Sequence, residues 1–208
     1  MRILVTGCAG FIGFNLALKL LKAFSNDKIF GIDNFDKYYS PKLKNDRKKI
    51  LIKNNKFFFK KVDINDQKNL ENFIFKIKPQ IIFNLAAQAG VRYSLINPRK
   101  YVNTNINGFF NLCEIAKKIN VKKFFYASSS SVYGDSTTFP LKENLLIKPK
   151  NIYGLSKKIN EEMADTYSIN SGVKFIGLRF FTVYGPWGRP DMMIQKYIFS
   201  SFNNKKFE

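Results

Sequence analysis

Few folds accommodate the opening of this chain. An apolar run, RILVT (Arg2 to Thr6), passes into TGCAGFIG and on into FIGFNLALKLLKAF, whose apolar spacing is that of a helix. Gly7, Gly10 and Gly13 fall where a strand must turn tightly, let a pyrophosphate approach the helix N-terminus, and let helix pack closely on strand. A glycine triplet alone is a weak signal. Here a strand precedes it, a helix follows, and Asp33 ends the next strand, KIFGID, twenty residues beyond Gly13. An acid there receives the hydroxyls of an adenosine ribose and repels a 2′-phosphate, so the expected cofactor is NAD.

The rest of the chain repeats the alternation. FFFKKVDI precedes the helical DQKNLENFIFKI, and QIIFNLAA precedes the helical YVNTNINGFFNLCEIAKKI. KKFFYASS is followed by NIYGLSKKINEEMADTYSI and then VKFIGLRFF. Continuous apolar strands joined by crossover helices imply an α/β fold: a doubly wound parallel sheet of at least six strands, the Rossmann fold, with helices on both faces. Residues 1–208 are read as one NAD-binding domain. In such sheets ligands bind beyond the carboxyl ends of the strands. The longest irregular stretch, Gly134 to Lys150, holds Pro140 and Pro149 and is expected to loop over the site.

Composition removes several chemistries. The chain has no histidine, which excludes a Ser-His-Asp triad, a Cys-His pair and the usual His-ligated zinc sites within it. Cys8 and Cys113 give neither a disulfide framework nor metal-ligand spacing. Cys8 is read as a small loop residue, with thiol reactivity worth checking because a helix N-terminus lowers a thiol's pKa. The net charge of +20 is mostly lysine spread along the chain, without a nucleic-acid-reading motif, so no nucleic-acid partner is expected. No apolar stretch is long enough for a membrane span, and Met1 runs almost directly into the first strand, so the expected location is cytoplasmic.

Two features carry chemistry. FFYASSSSVYGD places four serines at the end of the fifth strand, and Tyr153 and Lys157 stand four residues apart on one face of the helix that follows. A lysine charge beside the phenol, with a positive nicotinamide ring, lowers the tyrosine pKa and makes Tyr153 a general base without histidine.

This set resembles the extended short-chain dehydrogenase/reductase superfamily. The resemblance implies cofactor contacts from Gly7, Gly10, Phe11, Ile12, Gly13, Asp33 and Asn34. It adds Asp63 and Ile64 at the adenine, then Leu85, Ala86, Ala87 and Thr104 along the cofactor, with Tyr153 and Lys157 at the nicotinamide ribose. The alternative for Asp63 is a plain cap on the following helix. Counting back from VYG makes Ser129 the catalytic serine, while Ser128 is expected to satisfy backbone or cofactor groups. Sugar-nucleotide 4,6-dehydratases carry an Asp-Glu pair before VYG and UDP-glucuronate decarboxylases a Glu. Ser130 and Ser131 stand there instead, which argues against dehydration.

AAQAGVRYS and RFFTVYGPWGRPDM are most similar to UDP-glucuronate 4-epimerases. That resemblance implies a UDP-sugar substrate held by Gln88, Arg92, Ser129, Ser130, Thr182 and Arg189, with Ser130 and Thr182 toward the glucuronate carboxylate. Arg92 is read ahead of substrate contact as a residue that orders the loop after the fourth strand, and Pro186 and Trp187 as packing. The alternatives are a UDP-galactose or UDP-N-acetylglucosamine 4-epimerase, the UDP-galactose enzyme usually having Asn at the position of Thr182, or a non-catalytic NAD-binding fragment. Relatives continue beyond SSFNNKKFE with a small lobe that grips the uridine nucleotide, so this chain is expected to be an incomplete epimerase with exposed apolar surface near its C-terminus. Relatives also form homodimers through two long helices, here the segments Asn105 to Ile119 and Tyr153 to Ile169.

Overall fold

In β1 (Arg2–Thr6), Ile3, Leu4 and Val5 are successive and almost fully buried, which requires cover on both faces of the strand. The structure, a computed structural model, describes residues 1–204 and supplies that cover. β1 leads into α1 (Phe11–Ala23), followed by β2 (Lys28–Asp33), α2 (Pro41–Leu51), β3 (Phe57–Lys61) and α3 (Gln67–Ile77). After β4 (Ile81–Asn84) come two short helices, α4 (Val91–Ile96) and α5 (Pro98–Tyr101), a π-helical segment (Val102–Asn107) and α6 (Gly108–Lys118). β5 (Lys123–Ser129) ends in a 3₁₀ turn (Ser130–Tyr133), and α7 (Ile152–Ser171), β6 (Lys174–Phe180) and α8 (Met193–Phe202) are the last elements among the described residues.

The strands form one parallel sheet in the order β3-β2-β1-β4-β5-β6. Alternate side chains feed two cores. Ile3, Val5 and Ile29 meet Phe14, Ala17 and Leu21 of α1 and Leu51 of α2. Leu4, Ile32, Ile82 and Phe124 meet Leu70 and Ile74 of α3, Phe109 and Leu112 of α6, and Ala164 of α7. Because β1 pairs with both β2 and β4, the connections after β1 and β4 leave in opposite directions and open a crevice at their carboxyl ends. The Thr6 hydroxyl donates to Asn84 Oδ1 (2.6 Å) and accepts from the Ala86 N–H (3.1 Å), which fixes the two strand ends against each other.

The helix expected over 101–119 begins at Pro98 and is interrupted by the π-helical turn, and α4 and α8 were not expected. The interruption has a local cause. Asn160 of α7 donates to the Asn105 carbonyl (2.6 Å), while the Asn105 amide bonds the Gln88 carbonyl (3.0 Å) and Ser156 Oγ (2.9 Å). These contacts between elements compete with the regular ladder, which widens there.

Candidate active site

A cavity of about 930 Å3 occupies the crevice and receives residues from both halves of the sheet. On one side lie Gly7, Gly10, Phe11, Ile12, Gly13, Asp33 and Asn34, with Ile64 close by. Gly7 has φ +66°, and a Cβ on it would stand 2.7 Å from the Ala86 nitrogen; one on Gly13 would stand 2.2 Å from the Gly7 carbonyl oxygen. No side chain caps α1 and no acid stands in its first turn, so the positive end of its dipole is open to an anion in the cavity. Asp33 accepts from the N–H groups of Ala9 (3.0 Å) and Phe35 (2.8 Å). Burial pushes its carboxyl up, against those hydrogen bonds and the charges of Lys44 and Arg47.

Asp63 stands one step back, accepting from Asn34 Nδ2 (2.8 Å) and the Asn65 N–H (2.8 Å). It is not a helix cap, because Asp66 caps α3 by accepting from the Asn69 N–H (3.2 Å). The reactive reading of Cys8 is corrected too. Its side chain is fully buried, and burial raises the thiol well above its ordinary value, with Asp33 adding to the rise.

Leu85, Ala86, Ala87 and Thr104 continue the wall to the catalytic end. Asn151 caps α7 by accepting from the Gly154 N–H (2.8 Å), and Tyr153, Lys157 and Glu161 follow one turn apart. The expectation that Lys157 lowers the Tyr153 pKa needs correction. Lys157 Nζ donates to the Ala127 carbonyl (2.8 Å), and burial brings its own pKa down to about 8. Burial raises the Tyr153 phenol; what pulls it back down is a hydrogen bond with Ser129 and the charge of Arg189. Ser129 Oγ already accepts from the Ser131 N–H (3.1 Å), which leaves its single hydrogen for the Tyr153 phenol or for a ligand oxygen beside it.

Of the two partners expected of Ser128, the backbone one is corrected: its hydroxyl bonds the Glu161 carboxylate, while the residue also lines the cavity. Arg179 grips the same carboxylate through Nε (2.9 Å) and a terminal nitrogen (2.8 Å) and reaches the Tyr133 hydroxyl (3.0 Å). The end of β5 is thereby tied to the middle of α7.

Gln88, Arg92, Ser130, Thr182 and Arg189 line the same cavity as Tyr153. Gln88 is held through its backbone, its N–H donating to Asn105 Oδ1 (2.8 Å). Arg92 and Thr182 are exposed at the rim. Arg189 pairs with Asp191 and lies over the ring of Tyr38 at 5.3 Å. Four contributors escaped the sequence reading: Arg47, Asn105, Asp191 and the Glu161–Arg179 pair. Arg47 sits within PKLKNDRKKIL, where nothing separates a buried cation from its solvated neighbours. Among the described residues no group of three or more His, Cys, Asp or Glu could hold a metal, and no helix is long and apolar enough to cross a membrane.

Residues 4–206 match the family described as GDP-mannose 4,6 dehydratase. The chain is 46% identical over 209 aligned positions to Protein CapI of Staphylococcus aureus, covering 100% of this chain and 62% of that protein. It is 45% identical over 194 positions to UDP-glucuronate 4-epimerase 4 of Arabidopsis thaliana, covering 92% of this chain and 44% of that one. Among solved structures, UDP-glucuronic acid 4-epimerase from Bacillus cereus in complex with UDP-glucuronic acid and NAD superposes with a TM-score of 0.92 at 37% identity. That likeness covers 100% of this chain and 65% of that one, so the chain spans less than two thirds of the length of these relatives.

Proposed function

The chain belongs to the GDP-mannose 4,6 dehydratase family, and within it we propose that it carries the cofactor-binding and catalytic part of an NAD-dependent nucleotide-sugar 4-epimerase acting on UDP-glucuronate. One observation carries the reading. A single cavity is lined by the glycine turn with Asp33, by Ser129, Tyr153 and Lys157, and by Ser130, Thr182 and Arg189, with no carboxylate at positions 130 and 131.

The residues fit NAD. The open N-terminus of α1 and its glycines suit the pyrophosphate, and Asp33 suits an unphosphorylated ribose. When bound, NAD supplies the hydride acceptor that later returns hydride to the sugar. Tyr153 takes the proton of the C4 hydroxyl as the C4–H bond breaks, with Ser129 donating to the reacting oxygen. Burial holds the phenol's pKa above its ordinary value, and Ser129 and Arg189 work against that rise, in the direction a base needs. The ketone then turns in the cavity, and Tyr153 returns its proton to the same C4 oxygen, with the opposite face of C4 now toward the hydride that NAD would return. Ser130 and Thr182 offer hydroxyl donors, and Arg189 a charged one, to the sugar's carboxylate, whose burial without partners would be costly.

The test is conversion of UDP-glucuronate to UDP-galacturonate, followed by chromatography, for the unaltered protein and for Tyr153→Phe. The variant is expected to lose at least about 100-fold in turnover, the low end for general acid–base catalysis. Undiminished turnover would remove Tyr153 from the mechanism, and preference for UDP-galactose would favour the epimerase usually carrying Asn at the position of Thr182. A second reading, a dinucleotide-binding unit without turnover, is favoured by α8, none of whose residues is buried. Bound NAD without conversion would select it. The proposal extends to a cytoplasmic homodimer through α6 and α7, where Phe110, Leu155 and Ile169 are exposed.

A further inference from the structure

Arg47 is the largest of the fully buried side chains, and the mechanism above makes no use of it. Its guanidinium donates to the Ala9 carbonyl (2.9 Å) in the glycine turn and to the Tyr39 hydroxyl (2.6 Å) after β2. It also donates to the Trp187 carbonyl (2.6 Å) in the connection after β6. Its charge acts on Asp33, the acid at the cofactor end. Burying such a cation is unfavourable unless its donors are used, and Nε is left without a partner, so apolar packing alone does not explain it.

The third of these contacts is the unexpected one. β6 is the edge strand on the far side of the sheet, with β5, β4 and β1 between it and β2. The chain leaving β6 nevertheless returns across the crevice to the glycine-turn side. There Trp187 packs edge-on against Phe14 of α1 at 5.6 Å, Asn15 Nδ2 donates to the Pro186 carbonyl (3.3 Å), and the Tyr38 hydroxyl donates to Asp191 (3.0 Å). The same stretch contributes Arg189 and Asp191 to the wall of the cavity that Gly10 to Gly13 also line.

We propose that residues 185–191 are a strap closed over the dinucleotide, and that Arg47 is the positioning residue that anchors it and so governs how fast the cofactor is exchanged. The inference rests on the NAD reading above. A strap anchored to the glycine turn explains how one cofactor molecule is retained through successive oxidations and reductions, since it cannot leave until the strap lets go. It also places Arg189, which rides on the strap, only when the cofactor half of the sheet is in register. Lysine cannot replace the anchor, because a single ammonium lacks the planar fork that serves three carbonyl and hydroxyl acceptors at once.

The 208-residue chain tests this with two readouts. NADH bound to the protein is displaced by excess NAD in a stopped-flow fluorimeter, and amide exchange is followed over residues 185–192 without any nucleotide. In Arg47→Lys both NADH release and strap exchange are expected to quicken by about tenfold, the factor for one lost charge-assisted hydrogen bond, while β1 and β4 amides stay unchanged. Asn15→Ala, which removes a strap contact without touching the guanidinium, gives a smaller change in the same two readouts and decides the matter if Arg47 variants do not fold. Folded Arg47→Lys or Asn15→Ala protein that binds NADH with unchanged release and unchanged strap exchange overturns the proposal. Failure of the unaltered chain to bind NADH overturns the cofactor reading and the strap together.

Discussion

Lys157 shows how a residue named from spacing acquires its properties only from the fold. Its place four residues after Tyr153 is legible in the sequence, but its acceptor, the Ala127 carbonyl, arrives from β5. Burial holds its pKa at about 8, below the ordinary 10.5, so between these values the unfolded chain binds a proton that the folded chain does not. Stability from this group therefore rises with pH across that window, and below it the cost of the buried charge is present in full. In Lys157→Met that contribution disappears. The difference in unfolding free energy between wild type and variant, measured by urea at pH 7.5 and near pH 10.5, is expected to grow in favour of wild type by on the order of 3 kcal/mol. A flat difference would mean that Lys157 is not buried as described. Ser129 and Tyr153 were equally legible from their order along the chain, whereas Arg47 was not, because a buried arginine and a solvated lysine look alike in a basic helix.

Among the elements, α7 does most to assemble the site. Its pattern, its Asn151 cap and Gly172 at φ +67° after its last turn are all local signals, and the expected span agrees with the observed one to within two residues at its C-terminal end. What the sequence could not show is how the helix is registered against its neighbours. Glu161, one turn beyond Lys157, is held by Arg179 of β6 and receives the Ser128 hydroxyl from β5, so three elements meet at one carboxylate. The π-helical turn has the same kind of origin, in Asn160 reaching across from α7. Such long-range polar contacts leave no periodic trace. Glu161→Gln leaves Arg179 without its charged partner in a half-buried setting, and a loss of about 2 kcal/mol is expected, the middle of the range for hydrogen bonds to charged groups. A urea midpoint that does not move would show that the end of β5 is held by packing alone. A lowered midpoint together with a lower turnover number and unchanged affinity for the sugar nucleotide would place the effect on Ser129 and Tyr153.

The fold as a whole was the most legible level, since the alternation of strand and helix, the glycine turn and Asp33 specify the doubly wound sheet between them. Its cover is uneven, however. Among the described residues, α3, α6 and α7 back one face, while α1 and α2 reach only the β3 to β4 side of the other. Phe125 and Ile176, paired across β5 and β6 on that second face, stay half-buried, and Phe181, Tyr184, Met193 and Phe202 beyond them are exposed. A strand paired on one side and half covered contributes little to the cooperative core, and a helix with no buried residue contributes less. Opening of this edge should then require far less free energy than unfolding of β1, whose apolar side chains are enclosed on both faces. Amide exchange is expected to be slowest in β1, β2 and β4, where it follows global unfolding, intermediate in β6, and fastest in α8. Urea should release the last two before the rest. Equal protection of α8 and β1 would mean that the uncovered face is closed by contacts other than those described, and that the apolar residues past β6 are already part of one cooperative core.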